Sequence, residues 1–391
     1  MKELVKELAG AQKENLRRDF EHFHQNPELS FKEYQTAEYI RNTLKELGIP
    51  MQEGISGTGT VGILKGSEPG PVIAFRADID ALPVHEINDL PYRSQTEGVM
   101  HACGHDSHTA TLLGLARVLS SHPELVKGTV KFLFQPAEEK LPGGAKQLCA
   151  DGAIDDVDMV FGLHAGSGMD LGTIELNRGP ISAAVCTYEV QIHGAGGHGS
   201  SPHAAKNPVP VACMIGSAIN QIRAEKFDPL ANMVLTVSYI ESGKYPNVIP
   251  AEAKLGGNFR TLDNSLVEPV LEEIQKVSKG ICDSYGLTCD FDIVRGYPAN
   301  VNSDAQVDIM ADALNEMGFH VVQHPPMLGA EDFSYYSLKK PSAFIMVGAA
   351  DPERPITHSP HHSSEFQIDE RVLDIALECE IATYLKATKQ A

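Results

Sequence analysis

The sequence predicts an α/β protein: a mixed-sheet domain with helices on both faces, carrying an inserted α/β sandwich. Three observations predict it. Strand-length apolar runs alternate with longer stretches of helical period along most of the chain. Several strand runs end in acidic or histidine side chains, where open α/β sheets collect their functional groups. The 391 residues are too many for one ordinary hydrophobic core, so two domains are expected.

The composition, 42% hydrophobic, is that of a folded globular chain. No run of about 18 apolar residues is present, so no membrane span is expected. The formal net charge of −20 argues against nucleic acid and anionic lipid as partners. Seven cysteines, odd in number and scattered, do not form a disulfide pattern. The opening MKELVKELAG is charged and amphipathic, without the apolar core of a signal peptide. A reducing cytoplasm is therefore expected.

Residues 1–47 read as two helices broken at Asn26-Pro27. Ser30, with Glu33 three residues on, reads as the capping box that starts the second, and Gly48 as its stop. Strands are expected at 60–64 and 72–76, the second running into Arg76, Asp78 and Asp80. Next comes Met100-His101-Ala102-Cys103-Gly104-His105-Asp106-Ser107-His108. Thiolate and imidazole are strong ligands for divalent metals, and Gly104 lets the backbone bend between Cys103 and His105. A helix over 107–120 follows. The positive end of its dipole should lower the pKa of the nearby thiol.

A strand at 129–134 ends in Gln135-Pro136-Ala137-Glu138-Glu139. Adjacent carboxylates on an extended chain point different ways, so one can bind a metal while the other faces a water. A strand at 157–163 ends in His164. From 184 to 296 the pattern is strand, helix, strand, strand, helix, strand: 187–193, 207–222, 233–239, 253–259, 267–285 and 289–294. This is the expected inserted domain, leaving 1–183 and 297–391 as the main domain. The glycine-rich loop at 194–199 could cradle phosphate, but it lacks the lysine and the spacing of known phosphate loops. A helix at 305–317, a strand at 343–348 and a histidine cluster at His358, His361 and His362 complete the chain.

The motifs FRADIDALPV, MHACGHDSHTA, FQPAEE, GLH, GGHGSSPH, NVIP and GAEDF occur in that order. In this the chain resembles a metal-dependent aminoacylase/carboxypeptidase family. More narrowly it is similar to the amidohydrolase branch with hippurate hydrolases, indole-acetyl-amino-acid hydrolases and N-acetyl-diaminopimelate deacetylases. The resemblance runs from His24-Gln25-Asn26-Pro27 onward.

It implies that Cys103, His105, Glu139, His164 and His362 bind two divalent ions per subunit, of manganese, zinc, cobalt or nickel. It implies Glu138 as general base. Asp78 falls where most relatives orient a ligand histidine two residues earlier, but here that earlier residue is Arg76. His198 falls on a residue that polarises the scissile carbonyl, often from the partner of a homodimer. Asn247 and Arg260 fall on positions that hold the substrate carboxylate. Relatives end in Leu-His-x-Pro-x-Phe where this chain has His361-His362-Ser363-Ser364-Glu365-Phe366. The spacing to Phe366 selects His362 over His361, His358 and His324.

The implied reaction is hydrolysis of an N-acyl amino acid to a carboxylic acid and a free amino acid, by water that the metal activates. Three alternatives bear weighing. A dipeptidase or carboxypeptidase of the same fold would share the metals. A Cys103-dependent hydrolase would leave Glu138, Glu139 and His164 idle. A non-catalytic metal binder would be expected to have lost Glu138.

Overall fold

In the computed structural model, which describes residues 1–390, the chain opens with three helices: α1 (Lys2–Gly10), α2 (Lys13–Gln25) and α3 (Tyr34–Glu46). The expected pair becomes three because a turn at Ala11-Gln12 divides the first. Strands β1 (Met51–Ile55), β2 (Gly59–Lys65) and β3 (Glu68–Asp78) lead to α4 (His105–Ser121) and β4 (Lys127–Gln135). Helix α5 (Gly144–Ala150) precedes β5 (Met159–Asp170), β6 (Thr173–Glu175) and β7 (Gly179–Ser182). Then come β8 (Ala184–His193), β9 (Gly197–His198), α6 (Pro208–Lys226), β10 (Met233–Ser242), β11 (Val248–Ile249), β12 (Glu252–Thr261), α7 (Val267–Ser284) and β13 (Thr288–Arg295). The chain closes with β14 (Asn300–Asn302), α8 (Asp304–Met317), β15 (His320–Val322), α9 (Ser334–Ser337), β16 (Ser342–Ala350) and α10 (Arg371–Gln390).

These elements form two units. One comprises residues 1–181, 301–325 and 332 onward; the other comprises 182–300 with the short return 326–331. Nothing in the sequence pattern marks that return.

The first unit is built on a sheet in the order β1-β2-β4-β3-β5-β16-β6-β15. Its centre, β4-β3-β5-β16, is parallel, and β2 and β6 flank it antiparallel. The last six residues of β3 and of β4 are all buried, as expected for parallel strands covered on both faces. Side chains alternate between the two covers. Ile73, Phe75, Phe132 and Phe134 join the core formed with α1, α2, α4, α8 and α10. Ala74, Leu133 and Val160 join a thinner core with Leu148 of α5, Phe333 and Tyr336. The chain leaves β3 to one side for β4, then returns on the other side as β5. That is a topological switch point, where the parallel strands' carboxyl ends bring their loops together.

In the second unit the sheet β10-β12-β8-β13 is antiparallel throughout. Helices α6 and α7 cover it through Val211, Ile215, Ile219, Val270 and Ile274, packed on Val190, Ile192, Leu255 and Phe259. A two-stranded ribbon, β9 with β11, was not expected from the sequence. Among the described residues no helix is long and apolar enough to cross a membrane.

Two local expectations are overturned. Ser30 does not cap a helix: α3 starts at Tyr34, the Ser30 hydroxyl donates to Asp80 (2.6 Å), and the Glu33 carboxylate is buried elsewhere. Nor does His164 end its strand. β5 runs on to Asp170, and His164 stands beside Met346 of β16.

Helix α2 is tied to the start of α4 by one ring. His24 Nδ1 lies 2.6 Å from Asp106 Oδ2, and Nε2 lies 3.2 Å from Glu86 Oε1, all buried. Burial alone would lower this imidazole, but the two carboxylates outweigh it and raise it to about 9. The folded value thus exceeds the unfolded one. The stabilisation is complete below the unfolded value and is lost as pH rises through about 9. The interval from 6.5 to about 9 corresponds to on the order of 3 kcal/mol. We therefore expect the stability gap between wild type and His24→Gln, from denaturant unfolding, to shrink by that order between pH 6 and 10. A gap that stays constant with pH contradicts this.

Candidate metal centre

The loop from β3 to α4 delivers Cys103 and His105. Gly104 caps α4 in the left-handed region (φ 91°), a conformation that a side chain would strain. Cys103 Sγ sits 3.4 Å from His164 Nε2 and 3.6 Å from His361 Nδ1. The ligand atoms of Cys103, His105 and Glu139 form a second group, all within 4.8 Å of one another. The two groups share the Cys103 sulfur.

Each imidazole is turned by a bond on its far side. His105 Nδ1 donates to the Asp80 carbonyl (3.0 Å), leaving Nε2 toward the cluster, 4.0 Å from Glu139 Oε1. His164 Nδ1 donates to the Ala165 carbonyl (2.8 Å), which aims Nε2 at the sulfur. His105 Nε2 and Glu139 Oε1 are buried with no hydrogen-bond partner among the described residues. His362 Nε2 approaches Glu139 Oε1 to 3.1 Å as an ion-pair contact without hydrogen-bond alignment. Buried polar atoms without hydrogen bonds are costly, and a divalent cation between thiolate, imidazole and carboxylate would satisfy both. The donors present fit such an ion.

Burial pushes the Cys103 thiol well above its ordinary range, although His105 pulls the other way. The expected lowering by the helix dipole is overturned, because complete desolvation dominates. The His361 ring falls to about 2 through burial and the neighbouring His164, His362, His108 and His105. It is therefore neutral, as a ligand must be.

His362, which the spacing to Phe366 selects, lies half-exposed, at φ 65°, on the Glu139 side. The structure adds His361, which spacing passed over, on the Cys103 and His164 side. The His362 N–H donates to the Ala102 carbonyl (2.8 Å), which ties this late loop to the Cys103 loop. His324 instead faces Glu175 (3.2 Å), and the nearest carboxylate to His358 is Asp170 (4.0 Å).

Asp78 Oδ2 lies 3.5 Å from His105 Nε2, but its closer partners are His108 and Arg76. Its Oδ1 accepts from His108 Nδ1 (2.6 Å) and its Oδ2 from Arg76 Nη1 (2.7 Å). His108 Nε2 in turn accepts the Ala165 N–H (2.8 Å), so both nitrogens of that ring are engaged. Arg76, fully buried, also reaches Gln135 and Asp332 (2.7 Å each). Burial would raise the Asp78 carboxyl, but Arg76, His105 and His108 hold it well below the usual range.

The residue that orients His105 and the turn carrying Glu138 and Glu139 is Asp80, which has no assigned role among the sequence motifs. Its carbonyl takes His105, its Oδ1 the Glu138 N–H (3.0 Å) and its Oδ2 the Glu139 N–H (3.1 Å). Glu33 continues the row by accepting the Ala137 N–H (2.9 Å). Two buried carboxylates thus hold three successive amides of the turn that carries both glutamates. The sequence offered one signal, the Asp-x-Asp at a strand end, and it pointed equally at Asp78 and Asp80.

The other predicted residues belong to the second unit. His198 of β9 stands opposite Val248 of β11, and the Gly199 N–H donates to the Asn247 carbonyl (2.9 Å). Arg260 of β12 donates through Nη1 to the Leu328 carbonyl.

A thiol and imidazoles gathered beside two adjacent glutamates at a sheet switch point define a metal-dependent hydrolase centre. Residues 74–382 match the model of peptidase family M20/M25/M40. The chain is 39% identical over 355 residues to thermostable carboxypeptidase 2 of Saccharolobus solfataricus, covering 90% of each. It is 36% identical over 367 residues to N-acetylcysteine deacetylase of Bacillus subtilis, covering 93% of each. Its fold matches the crystal structure of a Bacillus subtilis dinuclear metal-binding peptidase of family M20 with a TM-score of 0.84, at 32% identity, over 98% of this chain and all of that one. The chain belongs to peptidase family M20/M25/M40 and is a hydrolase of amide bonds whose centre takes two divalent metal ions.

If Asp80 sets this geometry, Asp80→Asn should weaken manganese binding to the metal-stripped protein by roughly 10- to 100-fold. Calorimetric titration reads this. An unchanged affinity removes Asp80 from the centre.

Proposed function

We propose that the protein cleaves the amide bond of an N-acyl amino acid, releasing a carboxylic acid and a free amino acid. The observation that carries this is the turn 137–139, whose amides are held by Glu33 and Asp80, with the Glu139 carboxylate beside Cys103 and His105. One carboxylate is left for a metal and the other for a proton. Cys103, His105, Glu139 and His164, with His362 and His361 from the late loop, would hold two ions of manganese, zinc, cobalt or nickel. Such ions supply acidity to water and polarise a carbonyl.

Glu138 takes the proton of the attacking water and returns it to the leaving amine nitrogen. His198 donates a hydrogen bond to the developing oxyanion. Asn247 and Arg260 hold the substrate carboxylate, and Asp78 keeps the floor of the centre in place through His108 and Arg76. In this reading the second unit pairs two subunits of a cytoplasmic homodimer and lends His198 to the neighbouring site.

The deacetylase relative supports an N-acyl amino acid as substrate; the carboxypeptidase relative supports a second reading in which dipeptides or longer peptides are cut. A thiol nucleophile fits poorly, since the Cys103 sulfur is buried and shared between the two groups of metal donors.

A panel of N-acetyl and N-benzoyl amino acids and dipeptides, each assayed with the four metals, separates the two readings. Glu138→Gln should retain metal and lose about 10²- to 10⁴-fold in kcat. Near-normal kcat removes Glu138 as the base. Mixing Glu138→Gln with His198→Ala protein under subunit exchange should raise activity above either parent, because mixed dimers regain one intact site. No gain on mixing means that His198 serves its own chain or none.

A further inference from the structure

The glycine-rich loop before α6 has committed its amides to backbone carbonyls around it. The Gly194 N–H donates to the Ala251 carbonyl (2.7 Å), Ala195 to Lys206 (2.9 Å), Gly199 to Asn247 (2.9 Å) and Ser201 to His198 (2.8 Å). The glycines allow these close approaches: a Cβ at Gly194 would lie 2.2 Å from the Lys206 carbonyl oxygen. No row of free N–H groups is left for a phosphate, which removes the anion-cradle alternative.

One amide of the loop points somewhere else. The Ser200 N–H donates to Nδ1 of His198 (3.1 Å), and the Ser200 hydroxyl lies 2.8 Å from the same atom. A backbone N–H is only ever a donor, so Nδ1 must offer its lone pair. A proton on Nδ1 would set one N–H against another. The neutral ring then carries its hydrogen on Nε2. That edge is exposed and has no hydrogen-bond partner among the described residues.

We propose that Ser200 is a positioning residue that fixes His198 as the Nε2–H tautomer, so that the ring presents a donor at its free edge. The inference rests on the reading of His198 as the donor to the substrate's carbonyl oxygen, and deepens it. A carbonyl oxygen that gains negative charge needs a hydrogen-bond donor, and the other tautomer would meet it with a lone pair. The same arrangement disfavours His198 as a general base or a metal ligand through Nε2, since both need that nitrogen bare. The backbone N–H and the hydroxyl act on one atom from one residue, while the turn Ser201 N–H to His198 carbonyl keeps the loop closed around the ring.

The test is long-range ¹H–¹⁵N correlation on the full-length protein with ¹⁵N-labelled histidine, the His198 signals being assigned by their loss in His198→Gln. The expected spectrum has a protonated Nε2 and a bare Nδ1. Ser200→Ala keeps the backbone donor and loses the hydroxyl. It should raise the share of Nδ1-protonated ring and lower kcat by roughly two- to tenfold with KM little changed. Ser200→Thr should restore both. A wild-type ring protonated on Nδ1 overturns the proposal, as does a Ser200→Ala protein with unchanged tautomer balance and unchanged kcat. If His198→Gln itself leaves kcat intact, the carbonyl-donor reading falls, and the spectrum still decides the tautomer.

Discussion

The centre depends on one buried carboxylate. Asp80 accepts the amides of Glu138 and Glu139 and the hydroxyl of Ser30, while its carbonyl turns His105. Burial would raise this carboxyl, but its partners, His105 first, hold it below the ordinary range, so it stays ionised. An ionised acceptor gives hydrogen bonds roughly twice as strong as a neutral one. Replacing it with a smaller side chain would orphan three donors on two chain segments, Ser30 and the turn carrying Glu138 and Glu139.

A second buried charge works beneath it. The Arg76 guanidinium sits between Asp78, Gln135 and Asp332, all fully buried, and joins the ends of β3 and β4 to the segment before α9. Removing one partner of such a network costs roughly 3–5 kcal/mol because the charge left behind stays desolvated. Asp78 and His108 are held in this way as framework, and the ligand atoms are left to the residues around Cys103. Asp78 is bound by the Arg76 cation two residues before it and by His108.

What was legible in the sequence was local. Cys103 and His105 stand two apart, and Glu138 and Glu139 are adjacent at the end of an apolar run; both patterns need only neighbouring residues. The mixed sheet with a second α/β unit was legible for the same reason, since hydrophobic period marks each element separately. Asp80 and Glu33 were not, because their partners lie about 50 to 100 residues away in sequence, and the short-range pattern at Ser30 and Glu33 mimicked a helix cap. His164 was misplaced at a strand end because β5 continues through small residues that carry no apolar signal. His361 was passed over because spacing to Phe366 selects one register, whereas the left-handed backbone at His362 turns the two rings to different sides of the cluster.

The central claim is that Cys103 is the shared point of the centre, with His105 and Glu139 on one side and His164 on the other. Anomalous diffraction from manganese-loaded crystals tests it most directly. Two manganese peaks are expected, both at bonding distance from Cys103 Sγ, one reached by His105 and Glu139 and the other by His164. A single peak away from the sulfur, or manganese bound to Asp78 and His108, would contradict it.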